Sequence, residues 1–140
     1  MAENLRQRIH ELCRDYMLGR LEAVFDHVDD EIDFVIFGPS DIISPQPRQK
    51  GKAALGAAIL AVQAEFEHLS YRPHVIIGDG ATAAVEIMAR LRRRSNGEVI
   101  ELFITDFVRF REGRLVELRE FIDHPEGIEQ LLSRRSGMAK

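Results

Sequence analysis

The pattern of hydrophobic residues changes near Tyr71 from a helical period to strict alternation. Alternation with a period of two is typical of strands that bury one face and expose the other. Three turn dipeptides interrupt the alternating region: Asp79-Gly80, Asn96-Gly97 and Glu112-Gly113. Asn-Gly between two such runs is a strong signal for a β-hairpin. The second half of the chain is therefore predicted to form successive antiparallel strands near residues 72–78, 82–94, 98–111 and 114–123.

The first half predicts three helices and one strand. Apolar residues from Leu5 to Tyr16 fall on one helical stripe, which Gly19 ends. A short second helix follows over LEAVFDHV, and an alanine-rich third helix covers Lys52–His68. Between them, EIDFVIFG is rich in β-branched and aromatic residues and predicts a strand, and Ser40–Lys50 predicts a loop.

This order of elements predicts an α+β fold. Three N-terminal helices would pack on one face of a curved antiparallel sheet and enclose an apolar cavity, which is a natural site for a small molecule. Residues 1–140 are expected to form one domain, because no linker or repeat divides the chain. After the last strand, Pro125–Leu132 is predicted to add a short helix, and residues 134–140 a disordered tail.

Composition excludes several classes of protein. The 140 residues carry a formal net charge of -4, which disfavours nucleic acid as a partner. A single cysteine, Cys13, excludes an internal disulfide framework, and the five histidines show no metal-binding spacing. No segment is apolar enough to span a membrane, and the charged start MAENLRQRIHEL leads us to expect a cytoplasmic protein. Without a glycine-rich nucleotide motif, no cofactor and no metal are predicted.

Three segments carry a resemblance to a known family. They are LGRLEAVFDHVDDEIDFVIFG, KGKAAL and TDFVRFREGRLVELREFID. Their order resembles the nuclear-transport-factor-2-like superfamily, and more closely its SnoaL-like and ketosteroid-isomerase-like enzymes. The resemblance covers roughly residues 5–125 and implies a cone-shaped, cystatin-like roll. It also implies proton transfer on an apolar carbonyl substrate, by isomerisation, dehydration or cyclisation, and a homodimer through the sheets.

Asp106 is the residue that the resemblance places in an oxyanion hole. The stretch TDFVRF is similar to the family's acid-x-apolar-Arg-Phe motif. The neighbours of Asp106 on its strand face are Ile104 and Val108, and an apolar surrounding favours the neutral acid. Such an acid can donate a hydrogen bond to an enolate oxygen. The alternative is an aspartate paired with a nearby arginine such as Arg109.

The proton-shuttling base of ketosteroid isomerases does not carry over to this chain. Its position falls on Val35, or on Ile36 after a shift of one residue, and neither side chain can take a proton. Asp33 is the acid inside that strand, and it shares a face with Val35. If that face lines the cavity, Asp33 is a displaced base; if the other face does, Asp33 is solvated.

Glu120 offers a replacement acid. It shares a strand face with Leu118 and Ile122, and the resemblance places that face in the cavity beside Asp106. Two adjacent carboxyl groups would separate in pKa, giving one acid and one base. The alternative is an ion pair between Glu120 and an arginine such as Arg90. The predicted catalytic residues are therefore Asp106, Glu120 and Asp33.

The predicted substrate-binding residues are Tyr16, Val35, Ile104, Val108 and Leu118. Tyr16 lies one helical turn beyond the family's tyrosine position, and the alternative is a core tyrosine. His68 and His74 are interpreted as surface residues near the cavity mouth. The apolar base position favours a non-catalytic ligand-binding or protein-interaction module, whereas Asp106 favours an isomerase or lyase, so both remain open.

Overall fold

Two helices, two strands and a third helix come first, and the chain then runs through four consecutive strands. The computed structural model describes residues 3–40, 42 and 46–124. Its elements are α1 (Glu3–Met17), α2 (Leu21–Asp26), β1 (Val28–Phe37), β2 (Gln49–Lys50), α3 (Lys52–Glu65), β3 (Phe66–Asp79), β4 (Thr82–Arg93), β5 (Val99–Arg111) and β6 (Arg114–Asp123). Among these residues, no helix is both long and apolar enough to cross a membrane.

The six strands form one sheet in the order β2-β1-β6-β5-β4-β3. The predicted α+β architecture is confirmed, with three differences. The third helix ends at Glu65 and β3 begins at Phe66, inside the predicted helix Lys52–His68 and before the predicted strand 72–78. The β1–β6 pair is parallel, whereas the sequence predicted antiparallel strands throughout. Within the predicted loop Ser40–Lys50, β2 pairs with β1. The predicted helix at Pro125–Leu132 and the predicted tail at 134–140 lie outside the described residues.

Register shifts bend the sheet around the helices. The β3–β4 pairing shifts twice, between His68 and Ser70 and between Pro73 and Val75. The β5–β6 pairing shifts once, beside Phe110. An extra residue in one strand bends that strand and increases its twist. Pro73 is tolerated in β3 because this strand forms an edge of the sheet, where a missing N–H breaks no ladder.

The core lies between the inner face of the sheet and the helices. Helix α1 packs against β3, and α3 packs against β1 and β3. The largest fully buried side chains come from β1, from the start of β3 and from β4: Val28, Ile32, Phe34, Phe66, Val85 and Ile87. The alternation seen in the sequence thus separates this inner face from an outer face of the sheet.

A buried aspartate fixes the end of α1. The Oδ2 atom of Asp15 lies 3.3 Å from Nε2 of His27. The guanidinium of Arg20 lies 3.8 Å from Oδ1 of the same carboxylate. The carbonyl of Asp15 also accepts a hydrogen bond from the backbone N–H of Arg20 at 2.9 Å. These contacts hold the last turn of α1, including Tyr16, in a fixed position relative to α2 and β1.

We expect Ile87→Ala to lower the free energy of unfolding by about 2–5 kcal/mol, because it removes methyl groups from a packed core and leaves a cavity. Ile87 is 1% exposed, whereas Ile77 on β3 is 68% exposed. The matched control Ile77→Ala should change the free energy of unfolding by about 0.5 kcal/mol or less. Urea unfolding of both variants measures this difference, and equal losses would contradict the assignment of the two faces.

Candidate active site

The inner face of the sheet and the three helices enclose a cavity of about 130 Å³. Aliphatic side chains from α1, α2, α3, β1, β4, β5 and β6 form most of its wall, together with Ile42. The polar and aromatic residues of the wall are Cys13, Tyr16, His68, Tyr71, Asp106 and Glu120. Such a cavity, apolar with a few convergent polar groups, is typical of small-molecule sites.

Two carboxyl groups meet on the sheet side of this cavity. Asp106 on β5 and Glu120 on β6 are direct cross-strand partners, and their side chains are hydrogen-bonded. Asp106 is 9% exposed, and its Oδ1 atom has no hydrogen-bond partner among the described residues. The arginines considered as partners of these two acids form other ion pairs. Arg109 pairs with Glu117 at 3.1 Å, and Arg90 lies 3.8 Å from Glu101. The structure therefore brings the two predicted acids together.

The environment of the pair keeps a proton on it. Burial, then the charge of Glu120 and the hydrogen bond with it, raise the pKa of Asp106 well above its usual value. Burial also raises the pKa of Glu120, although the hydrogen bond to Asp106 acts in the opposite direction. Two carboxylates in contact cannot both ionise easily, so the pair is expected to retain at least one proton and, when it retains one, to share it. One member is then an acid and the other a base.

An aromatic wall formed by Tyr16, Tyr71 and His68 lies on the helix and β3 side of the cavity. The ring of Tyr16 is 4.9 Å from the ring of His68 and 4.9 Å from the ring of Tyr71. The rings of His68 and Tyr71 are 6.0 Å apart. Tyr16 therefore enters the cavity, as predicted, with two aromatic neighbours that the sequence interpretation did not include.

Tyr71 and His68 were missed because the sequence predicted a helix as far as His68 and a strand only from residue 72, whereas β3 begins at Phe66 and contains two bulges. The hairpin begins with Asp79 opposite Thr82, and a regular register from there would place Tyr71 opposite Arg90, whose side chain is exposed. The shift between Pro73 and Val75 places Tyr71 opposite Ala89, and the shift between His68 and Ser70 places His68 opposite Leu91. Ala89 and Leu91 both line the cavity. The shift between Pro73 and Val75 thus turns Tyr71 inward, and the shift between His68 and Ser70 returns His68 to the inner face, where a strand without either shift would also place it. His68, interpreted as a surface residue near the cavity mouth, lines the cavity.

Burial also sets the protonation of the other polar groups in the wall. Burial, followed by the charges of Glu120 and Asp106, raises the pKa values of Tyr16 and Tyr71, so both phenols stay protonated. The same causes raise the pKa of Cys13 to about 12, which leaves a thiol rather than a nucleophilic thiolate. Burial and then the positive charge of Arg94 lower the pKa of His68 to about 4, so its imidazole is neutral.

The structure does not bring Asp33 or Val35 into the cavity. Arg48 donates a hydrogen bond to Oδ1 of Asp33 at 3.1 Å, on the outer face of the sheet. Val35 is buried but faces the same side, and Ile36 lines the cavity instead. Strand alternation is the reason, because Asp33 and Val35 share one face of β1. The candidate roles of Asp33 as a base and of Val35 in substrate binding are therefore corrected.

A row of cross-strand pairs shows where the replacement acid, Glu120, lies relative to the apolar base position. Ile36 on β1 is paired with Glu120 on β6, which is paired with Asp106 on β5. The apolar base position and the replacement acid are thus side by side on neighbouring strands. The remaining predicted substrate-binding residues, Ile104, Val108 and Leu118, line the cavity around this pair. Within the described ranges, no cluster of three potential metal ligands is present.

Comparison with known families identifies the fold and the family. The family model of the SnoaL-like domain matches residues 9–118. The chain belongs to this family. A nuclear-transport-factor-2-like protein from Burkholderia xenovorans shares 20% sequence identity over 88% of this chain and 92% of its own, with a TM-score of 0.71. The SnoaL-like chain therefore has the predicted nuclear-transport-factor-2-like α+β cone.

Two further solved structures have the same fold but names from different reaction classes. A protein from Rhodopseudomonas palustris, provisionally named an isomerase, is 24% identical over 95% of this chain and 98% of its own, with a TM-score of 0.75. A provisionally named polyketide cyclase from Xanthomonas campestris is 14% identical over 91% and 96%, with a TM-score of 0.77. Family membership and the cavity support a general enzymatic or ligand-binding role, since a shared fold does not fix the chemistry.

The carboxyl pair should make stability fall as pH rises. A folded-state pKa raised above the unfolded value gives stability that is present below the unfolded pKa and lost as pH rises through the folded pKa. We therefore expect wild type to lose stability progressively as pH rises above about 4, the unfolded pKa of these groups, relative to the double variant Asp106→Asn/Glu120→Gln. Urea unfolding across this range measures the difference, and a difference that stays constant or grows with pH would contradict the shared proton.

Proposed function

We propose that this SnoaL-like protein is a small-molecule enzyme that transfers a proton on an apolar carbonyl compound bound in the cavity. The observation that carries the proposal is the hydrogen-bonded pair of Asp106 and Glu120 in an apolar wall. Because the pair holds one proton, it supplies a base and a hydrogen-bond donor in the same place. Isomerisation, dehydration and cyclisation all begin with such a step, and the provisional names of the two relatives agree with these reaction types.

In the proposed step, the carboxylate of Glu120 removes a proton from the carbon next to the substrate carbonyl. The electron pair of the broken C–H bond moves to the carbonyl oxygen and gives an enolate. Once Glu120 is protonated, it is a weaker hydrogen-bond acceptor than the enolate oxygen, so Asp106 donates its proton to the enolate oxygen instead. The proton on Glu120 then returns to another carbon or to a leaving group, which restores the carboxylate.

Tyr16 supports the same intermediate in this proposal. Its phenol stays protonated and lines the cavity, so it is available as a second donor to the enolate oxygen. A positioned donor in a cavity that excludes water can contribute on the order of 3 kcal/mol to transition-state stabilisation. The aliphatic wall keeps water away from the enolate and strengthens both hydrogen bonds.

Deuterium exchange into cyclic β-keto esters and isomerisation of cyclic β,γ-unsaturated ketones test the step directly. We expect Glu120→Gln to lower the exchange rate by about 100-fold or more, because it removes the base. Asp106→Asn should lower the rate by about 100-fold, because it removes the mobile proton. Exchange is measured by NMR, and the rate should fall both at low pH, where Glu120 is protonated, and at high pH, where Asp106 loses its proton.

Matched substitutions outside the cavity serve as controls. Glu117→Gln lies on the same strand as Glu120 but pairs with Arg109, and Asp33→Asn lies on the outer face beside Arg48. Both controls should exchange at the wild-type rate. Equal rates in Glu120→Gln and Glu117→Gln would reject the proposed base.

A non-catalytic ligand-binding module is the second candidate, and one observation favours it. The resemblance places the proton-shuttling base at Val35, or at Ile36 after a shift of one residue; neither can take a proton, and Ile36 lines the cavity. In a binding module, ligands would occupy the cavity without any exchange of their protons. Saturable binding of a β-keto ester with exchange no faster than in buffer would support this function instead.

We also propose that the outer face of the sheet pairs two copies of the chain. Phe37 and Phe121 stack there with ring centroids 5.0 Å apart, and Phe107 contacts Phe121 at 6.0 Å. These rings, with Phe103 and Met88, remain large exposed hydrophobics. Charges of both signs, including Arg109 with Glu117, surround them. An apolar centre with balanced charges is suited to a two-fold interface between identical faces.

Sedimentation at micromolar concentration tests this pairing. We expect wild type to be a dimer and Phe107→Asp to be a folded monomer, because a carboxylate would be buried without a partner at the interface. The control Leu60→Asp changes a residue of similar exposure on α3, 54% against 45% for Phe107, and should remain a dimer. A monomeric wild type would contradict the proposal.

A further inference from the structure

We infer that the substrate of this cavity is an uncharged, single-ring carbonyl compound that also carries a hydroxyl or N–H group, which donates to Oδ1 of Asp106. The inference deepens the proposed function and rests on it for the carbonyl group. The size, the charge and the hydrogen-bonding groups of the cavity each restrict the ligand independently.

The size and shape of the cavity favour one planar ring. Its volume of about 130 Å³ is close to the volume of about 150 Å³ in an engineered apolar cavity that binds benzene. Tyr16 and Tyr71 present aromatic rings 4.9 Å apart along one side of the cavity. Aromatic rings prefer tilted or offset contacts with other rings at this range of distances. A planar ring can therefore pack against this wall.

The charge of the wall excludes anionic ligands. Among the described residues, no lysine or arginine lines the cavity, and the neutral His68 provides no positive charge. Asp106 and Glu120 share one proton, so the cavity carries a negative charge when the pair is in its resting state. Burying a carboxylate or phosphate beside them would cost free energy without a compensating partner. The substrate is therefore uncharged.

The Oδ1 atom of Asp106 determines which polar group the ligand must carry. Because Oδ1 of Asp106 has no hydrogen-bond partner among the described residues, we assign the hydrogen bond with Glu120 to the other oxygen, Oδ2. With the shared proton in that bond, Oδ1 is an acceptor whichever residue formally holds the proton. It is buried and has no partner among the described residues, and an unsatisfied buried acceptor is costly. A ligand hydroxyl or N–H satisfies it, whereas a carbonyl oxygen alone would face it with lone pairs.

Binding of four single-ring probes to the wild-type protein tests the inference without any turnover. By NMR titration, phenol should bind about tenfold more tightly than toluene, since one hydrogen bond is worth about 1.4 kcal/mol. Benzonitrile, which only accepts hydrogen bonds, should bind no better than toluene. Benzoate should show no saturable binding. Equal affinities of phenol and toluene, a preference for benzonitrile over phenol, or tight binding of benzoate would overturn the inference.

Two substitutions at Asp106 separate the acceptor from the proton. In Asp106→Asn, the amide NH₂ can donate to Glu120 and its oxygen can still face the cavity, so the preference for phenol should remain within about threefold. In Asp106→Leu, the preference should disappear. Loss of the preference in Asp106→Asn, or its survival in Asp106→Leu, would contradict the role of Oδ1. Unfolding curves of both variants confirm that each is folded.

The outcomes also separate this inference from the proposed function. If phenol is preferred as expected but Glu120→Gln exchanges as fast as wild type, the proton-transfer proposal fails and the hydrogen-bond requirement of the cavity stands. If exchange depends on both carboxyl groups but phenol has no advantage over toluene, the inference about the substrate fails alone.

Discussion

The contact between the buried carboxyl groups of Asp106 and Glu120 is the interaction on which the proposed chemistry of this cavity depends. Burial raises the pKa of both groups, and their contact prevents both from ionising easily. The pair depends on the β5–β6 register, in which the two residues are opposite each other on the inner face. A shift of one residue along either strand would turn one acid outward. The fold therefore has to keep this register while it bends the sheet, and the β5–β6 irregularity lies beside Phe110, away from the pair.

The aromatic wall on the opposite side of the cavity depends on the irregular register of β3 instead. His68 and Tyr71 are three residues apart, and in a regular strand they would point to opposite faces. The two register shifts of β3 place both on the inner face, where they contact Tyr16. Tyr16 itself is fixed because Asp15, its neighbour in sequence, binds His27 and Arg20 at the end of α1. The cavity thus combines a regular region, which aligns two acids, with a bulged region, which gathers three rings.

The same strands carry a second surface on their outer face. Asp106 and Glu120 alternate with Phe107 and Phe121, so β5 and β6 serve the cavity on one side and an exposed apolar area on the other. A pairing of two copies through this area would support the backs of the strands that hold the carboxyl groups. Substitutions on the outer face can therefore affect the cavity through the backbone, without contact with a ligand.

The sequence by itself determined the α+β class and most of the elements, because alternation and turn dipeptides act locally and show which residues share a strand face. The family resemblance, rather than these patterns, placed Asp106, Glu120 and Tyr16 in one cavity. Only the tertiary structure decided which face of β1 is inward, since that choice depends on packing against α3 and β6. Asp33 and Val35 were consequently misplaced. The bulges of β3 were also beyond sequence reasoning, because an extra residue in a strand leaves the local pattern readable in either register. Tyr71 entered the site through these shifts, and His68 entered it because β3 begins at Phe66, inside the predicted third helix.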